Sequence, residues 1–309
     1  MADAAGISDP FRQAETLLLD LAGWKIDAET IRRYCHEDAA AARAGRAERQ
    51  ALPELFAQAP GDRELQIDAG TVNTTDGGHR DVKVAVHCCR ERGEPATSQD
   101  YEQRDLPAPS VRSVIAEIEG AHEFGKRCQA EALRLGVSAE GLSVLGDGAV
   151  WIWNLVAVCF AAACCVLDVY HGGEHLAEVG RAAFGEGKGM EEWLEGARQK
   201  MVADGYAGVC EVIAGLCADE ETAARVGATA GAELNYFSGN AERMGYAVRL
   251  HRGQAIGSGL VEGTIKQRIN LRLKRANARW LAEHVGPFVE LLAMRDSPEW
   301  SEFWALVAA

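Results

Sequence analysis

Apolar residues recur at helical spacing near the start of the chain, at Phe11, Ala14, Leu17, Leu18 and Leu21, and this stripe predicts an amphipathic helix. Gly23 interrupts it, and Asp27 is placed to cap a second helix from Ala28 to about Ala42. Two helices around a glycine turn read as an αα-hairpin, with a helix-turn-helix remnant as the DNA-binding alternative. Ala-Gly-Arg-Ala-Glu and Gln-Ala-Pro-Gly-Asp then read as linker, so residues 1–58 are expected to form a helical N-terminal segment.

From Glu64 the period changes to two. Leu65 and Ile67 alternate with polar residues up to Asp68, and Val82, Val84 and Val86 alternate after the turn signal Asp76-Gly77-Gly78, which predicts a hairpin. Residues 111–135 read as helix, Leu142 to Leu145 as a short strand, and a helix follows from about Val150. Cys164 to Leu167 is an apolar strand ending at Asp168, His171 to about Ala247 is mostly helical, and Ile256-Gly257-Ser258-Gly259 opens a final long helix. The order predicts an α/β fold over residues 59–309, in which a hairpin feeds parallel strands and a helical insertion covers about 172–247. No apolar run reaches the roughly 18–20 residues that span a bilayer, and the first residues have no apolar core of a signal peptide. The expected location is cytoplasmic.

Asp68, Asp147 and Asp168 each close a predicted strand, where crevices form in open α/β sheets. A single acid there is commonly a cap or turn former. Three together repel and need a cation to coexist, and oxygen donors without Cys/His pairs suit Mg²⁺ or Mn²⁺. Glu262 follows Ser258 by four residues, one more than a capping box requires. Further on, Arg268, Arg272, Arg275 and Arg279 are spaced four, three and four, a one-face stripe on a continuous helix suited to phosphate.

Charge sharpens this picture. The chain carries a formal −14, which excludes a simple nucleic-acid coat, yet residues 249–285 hold eight Lys/Arg against two acids. The nine cysteines are odd in number and form no Cys-x-x-Cys, so buried free thiols are expected rather than disulfides or a zinc knuckle.

Several blocks resemble bacterial insertion-sequence transposases of the ISKra type: Gly146-Asp147-Gly148-Ala149-Val150-Trp151-Ile152-Trp153-Asn154, Leu167-Asp168-Val169-Tyr170-His171 with Glu174-His175-Leu176, and Asn235-Tyr236-Phe237. Arg243-Met244 with Tyr246, Ile256-Gly257-Ser258-Gly259 with Val261-Glu262, and Arg279-Trp280 continue the likeness, which runs from about residue 66 to 296. The resemblance implies an RNase H-like sheet with a helical insertion before the last acid, and a DDE triad of Asp68, Asp147 and Glu262 holding two Mg²⁺ or Mn²⁺ ions. It implies that Asp168 and His171 support the metal ligands or position substrate from behind them, with Arg279 and Trp280 on a DNA-facing closing helix. The implied activity is cleavage of an insertion sequence's DNA ends followed by strand transfer, with DNA as partner and a homo-oligomer assembled on it. Around the first acid the chain reads Asp68-Ala69-Gly70-Thr71 where the family pattern is Asp-Gly-Thr. A longer DNA-binding region is expected ahead of such a core, so the chain reads as N-terminally truncated. Two alternatives stay open: an inactive or domesticated copy that binds DNA or protein, and a zinc peptidase using His171, Glu174 and His175 in a His-x-x-Glu-His pattern, against which two glycines inside the motif count.

Overall fold

The computed structural model describes residues 10–275 and 278–307. The extreme N-terminus, read above for a signal peptide, lies outside them. Helix α1 (Phe11–Ala22) ends at Gly23 in the left-handed conformation, and α2 (Ala28–Ala44) begins where the Asp27 carboxylate accepts from Thr30 N. A short α3 (Ala51–Gln58) leads into the sheet.

The sheet has five strands in the order β3-β2-β1-β4-β5. Strands β1 (Asp62–Thr74) and β2 (Gly78–Arg90) form the expected antiparallel hairpin, and β3 (Val111–Glu117) pairs antiparallel with β2. Helix α4 (Ala121–Arg134) follows. Strands β4 (Leu142–Gly146) and β5 (Cys164–Leu167) extend the sheet in parallel, with α5 (Val150–Cys159) as the crossover between them. The architecture is therefore α/β, a mixed open sheet flanked by helices.

Residues 111–117 correct the helical expectation. Val-Arg-Ser-Val-Ile-Ala-Glu is rich in β-branched side chains, and both faces of this strand are needed: Val114 and Ala116 enter one apolar cluster, Val111 and Ile115 another. Those clusters lie on the two sides of the sheet. One joins Val72, Val82, Val84 and Val86 to α1, α2 and the C-terminal helices. The other joins Leu65, Ile67 and Val144 to α3, α4 and α5, with Trp153 and Phe160 packed in it.

The first helices are part of this core. Ala14, Leu18, Ile31 and Cys35 pack with Phe288 and Val289, so residue 58 marks no packing boundary. Ion pairs reinforce the join: Arg46, in the 3-10 turn Gly45–Glu48 that follows α2, and Arg134 on α4 both grip buried Glu131, 2.9 Å and 2.7 Å away.

The expected helical block is α6 (Val169–Phe184), α7 (Lys188–Leu216, broken at Gly205), α8 (Glu220–Gly239) and α9 (Tyr246–His251). It has its own apolar cluster, which Leu145, Val166 and Leu167 of the sheet enter. The final long helix does not exist as expected. Helix α10 (Gly259–Thr264) passes into a π-type turn at Ile265–Asn270 and stops, and only later come α11 (Ala282–Met294) and α12 (Glu299–Val307).

The arginine stripe therefore never forms on one helical face. Arg272 is 5% exposed, with its guanidinium 5.0 Å from the rings of both Phe11 and Phe288, and Arg268 pairs with Asp296. Trp280, expected to face DNA, is buried, and its indole N–H donates to Leu273 O at 3.1 Å. Of the five residues, Arg275 and Arg279 are exposed. All nine cysteines are free thiols: Cys35, Cys88, Cys89 and Cys128 are buried, whereas Cys164 and Cys217 are exposed. Among the described residues no helix is long and apolar enough to cross a membrane.

Candidate metal centre

Three aspartates stand in one row because the strand register puts them there. Ile67 pairs with Gly146, and Gly146 with Leu167, so the residues that follow, Asp68, Asp147 and Asp168, lie side by side at the carboxyl ends of the parallel pairings. Adjacent strands are about 4.8 Å apart. Asp68 does not end its strand, as had been expected; β1 runs on to Thr74. What ends at Ile67 is the pairing with β4, so Asp68 keeps only its partner in β2, Val84.

Glu262 arrives from α10. Buried Gln66, two residues before Asp68, accepts from Leu260 N and Val261 N at 3.1 and 3.2 Å, and so holds the start of α10 against β1. Ser258 stands at the start of α10 but makes no side-chain cap hydrogen bond to it. Gly70 lets the helix come this close: a Cβ there would stand 2.9 Å from Ile265 and 3.2 Å from Ile269. Contact with this segment demands glycine at position 70.

Asp168 is wholly buried and its oxygens are committed. Oδ1 accepts from His171 N at 2.7 Å and caps α6, while Oδ2 accepts from the backbone and hydroxyl of Ser258. The Ser258 hydroxyl lies 2.9 Å from Asp168 and 3.2 Å from Glu262 Oε1, so its single proton is shared between them. Asp168 therefore positions Glu262 through Ser258.

The Gly146-Asp147-Gly148 turn is held from the helical block. Gly148 has φ +92, and a Cβ there would stand 2.5 Å from the Tyr236 hydroxyl. That hydroxyl donates to Asp147 O at 2.8 Å. Tyr236 stacks on His175, with ring centroids 3.6 Å apart, and His175 Nδ1 lies 2.6 Å from Glu233. Tyr236, Glu233, Ser258 and Gln66 were missed as supporting residues; each acts on a residue far away in the sequence, Tyr236 on Asp147 and Glu233 on His175 among them.

Electrostatics show that the acids feel one another. Burial, then the nearby Asp147 and Glu262 charges, push Asp68 up to about 6, against the pull of its own bond from Ala69 N. Glu262 is also raised, by partial desolvation first and by Asp168 second. His171 eases both, and its Nδ1 lies 3.1 Å from Glu174. The donor chemistry fits a hard divalent cation: Asp68, Asp147 and Glu262 each have one oxygen engaged by the protein, from Ala69 N, Ala149 N and Ser258 respectively. As the side chains stand, no group of three His, Cys, Asp or Glu among the described residues is gathered closely enough to hold an ion.

The His-x-x-Glu-His alternative meets a different geometry from the one expected. The helix does run through Gly172 and Gly173, where Met201 and Arg198 of α7 fill the space a side chain would need. The His175 nitrogen, however, faces Glu233. No protein-family model matches the chain, and no curated protein matches it.

Proposed function

We propose that the chain is the catalytic core of a DDE-type DNA transposase with an RNase H-like sheet, acting on phosphodiester bonds through Asp68, Asp147 and Glu262. One observation carries this reading. Asp68 and Asp147 each follow directly on the last registered pair of neighbouring parallel strands, and Glu262 stands on a helix whose start is tied to the first of those strands through Gln66. The mixed strand order and a helical block placed before Glu262 agree with the fold that the resemblance implies.

Asp68, Asp147 and Glu262 would hold Mg²⁺ or Mn²⁺, which when bound supply a more acidic attacking water or 3′-hydroxyl and stabilise the leaving oxygen. The chain's own groups set the geometry. Ser258 and Asp168 orient the Glu262 carboxylate, Tyr236 fixes the Asp147 turn, and His171 stands at the rim, where an imidazole would position a phosphate. In cleavage the attacking oxygen forms a bond to phosphorus as the bond to the 3′-oxygen breaks. In strand transfer the freed 3′-hydroxyl takes the water's place. Exposed Arg275 and Arg279 offer phosphate contacts, and assembly of two DNA ends would require more than one copy of the chain.

Purified protein should convert supercoiled plasmid to nicked circles in Mn²⁺, and Asp147→Ala and Glu262→Ala should each abolish this. Absence of nicking by folded wild-type protein would favour an inactive copy that only binds DNA.

A further inference from the structure

The end of the sheet remote from the carboxylates carries a second, chemically different site. Trp280 bridges to Thr74 at the end of β1, six residues beyond Asp68 and so about 20 Å along the strand. Beside it opens a cavity of about 950 Å³, near the upper end of the roughly 300–1,000 Å³ typical of small-molecule sites. Phe11 and Trp280 form part of its wall, with centroids 6.3 Å apart. The imidazoles of His36 and His284 stack 4.2 Å apart at 24°. Arg12, Arg32, Arg275 and Arg279 line it too, and no Asp or Glu does among the described residues. In a chain of net charge −14 this is a local reversal of sign.

The buried Nδ1 of His36 has no hydrogen-bond partner, although the residue lines the cavity. Arg272 adds fixed positive charge beneath the aromatic wall, 5.5 Å from the Trp280 ring. Guanidinium groups that match phosphate oxygens, next to flat rings that accept a stacked base, make up the chemistry of a nucleotide site.

We propose that this cavity binds a nucleotide, its phosphate on Arg275 and Arg279 and its base against the aromatic and imidazole wall, either as a free mononucleotide or as one unstacked nucleotide of a single DNA strand. The site does not depend on the carboxylates, so it can be tested with no divalent ion present.

Binding of a fluorescein-labelled ten-residue oligothymidylate is followed by anisotropy in EDTA. Wild type should bind, and Arg275→Ala/Arg279→Ala, which alters two exposed side chains, should weaken binding at least about tenfold. The control Arg225→Ala/Arg252→Ala removes the same charge from exposed positions elsewhere and should change it less than about twofold. An oligomer with abasic sites should bind about tenfold more weakly, which is the share owed to stacking. Displacement by free thymidine monophosphate assigns the pocket to a free nucleotide; displacement only by unlabelled strand assigns it to DNA. Equal binding by wild type and the paired variant, equal binding of intact and abasic strands, or competition by inorganic phosphate matching that of the nucleotide would each overturn the proposal.

Discussion

Single side chains at the candidate centre divide into those that would touch a ligand and those that hold them. Gly148 is the sharpest case of the second kind. Alanine there meets both a positive φ and the Tyr236 hydroxyl at 2.5 Å, and such strain costs about 1–3 kcal/mol. Gly148→Ala should lower the melting temperature by several degrees and abolish nicking, and an unchanged melt would count against the turn geometry. Ser258→Ala is milder. It removes the hydroxyl shared by Asp168 and Glu262, so Mn²⁺ affinity should fall about 10–100-fold, the usual effect of losing a supporting group, while calorimetry still detects binding.

His87 makes an acid-side prediction. Burial, above all, holds its imidazole down at about 4, whereas in the unfolded chain it titrates near about 6.5. The unfolded chain thus takes up a proton that the fold refuses, and the stability carried by neutral His87 is complete above about 6.5 and lost as pH falls towards 4. Each pH unit in that window should cost about 1.4 kcal/mol per such group. His36, also held at about 4, adds to the slope. Thermal melts from pH 7 to 4 should steepen accordingly, and His87→Leu should flatten them; an unaltered slope would contradict this account.

At the scale of elements, local pattern and tertiary need part company at identifiable places. The hairpin, β4, β5, α5 and the helical block were legible because their apolar periods and turn residues agree with their surroundings. Residues 111–117 were not: a short segment buried on both faces shows no alternation, and its pairing with β2 is invisible in the local sequence. The arginine stripe failed for the opposite reason. Its spacing was helical, but α10 ends in a π-type turn and Arg272 turns into an aromatic nest. Asp147 and Asp168 were legible as strand ends, whereas Asp68 lies inside β1; the parts played by Gln66 and Tyr236 were not legible, since both act across sequence separations that spacing cannot reveal. Gln66→Leu should leave two helix-start N–H groups short of their side-chain acceptor, cost about 1–3 kcal/mol and loosen Glu262. It should therefore impair cleavage more than Thr264→Ala, which removes a hydrogen bond further along the same helix.

Over the whole molecule, the N-terminal helices and the sheet are expected to unfold together. Glu131, 4% exposed, lies between Arg46 and Arg134, which hold its carboxyl far below the usual range despite its burial. Glu131→Gln removes the carboxylate that Arg46 and Arg134 share and leaves each with one acid, Glu290 and Glu299 respectively, so urea denaturation should show a loss of about 1–3 kcal/mol. The transition should stay single; a separate early melt of residues 11–58 would contradict a shared core.

The central claim is that Asp68, Asp147 and Glu262 form one divalent-cation site. Its most direct test is isothermal titration of Mn²⁺ into wild type, Asp147→Asn and Glu262→Gln. The account predicts binding by the wild type that either substitution abolishes, with Mg²⁺ competing. No Mn²⁺ binding by folded wild type, or binding that survives both carboxylate substitutions, would contradict it.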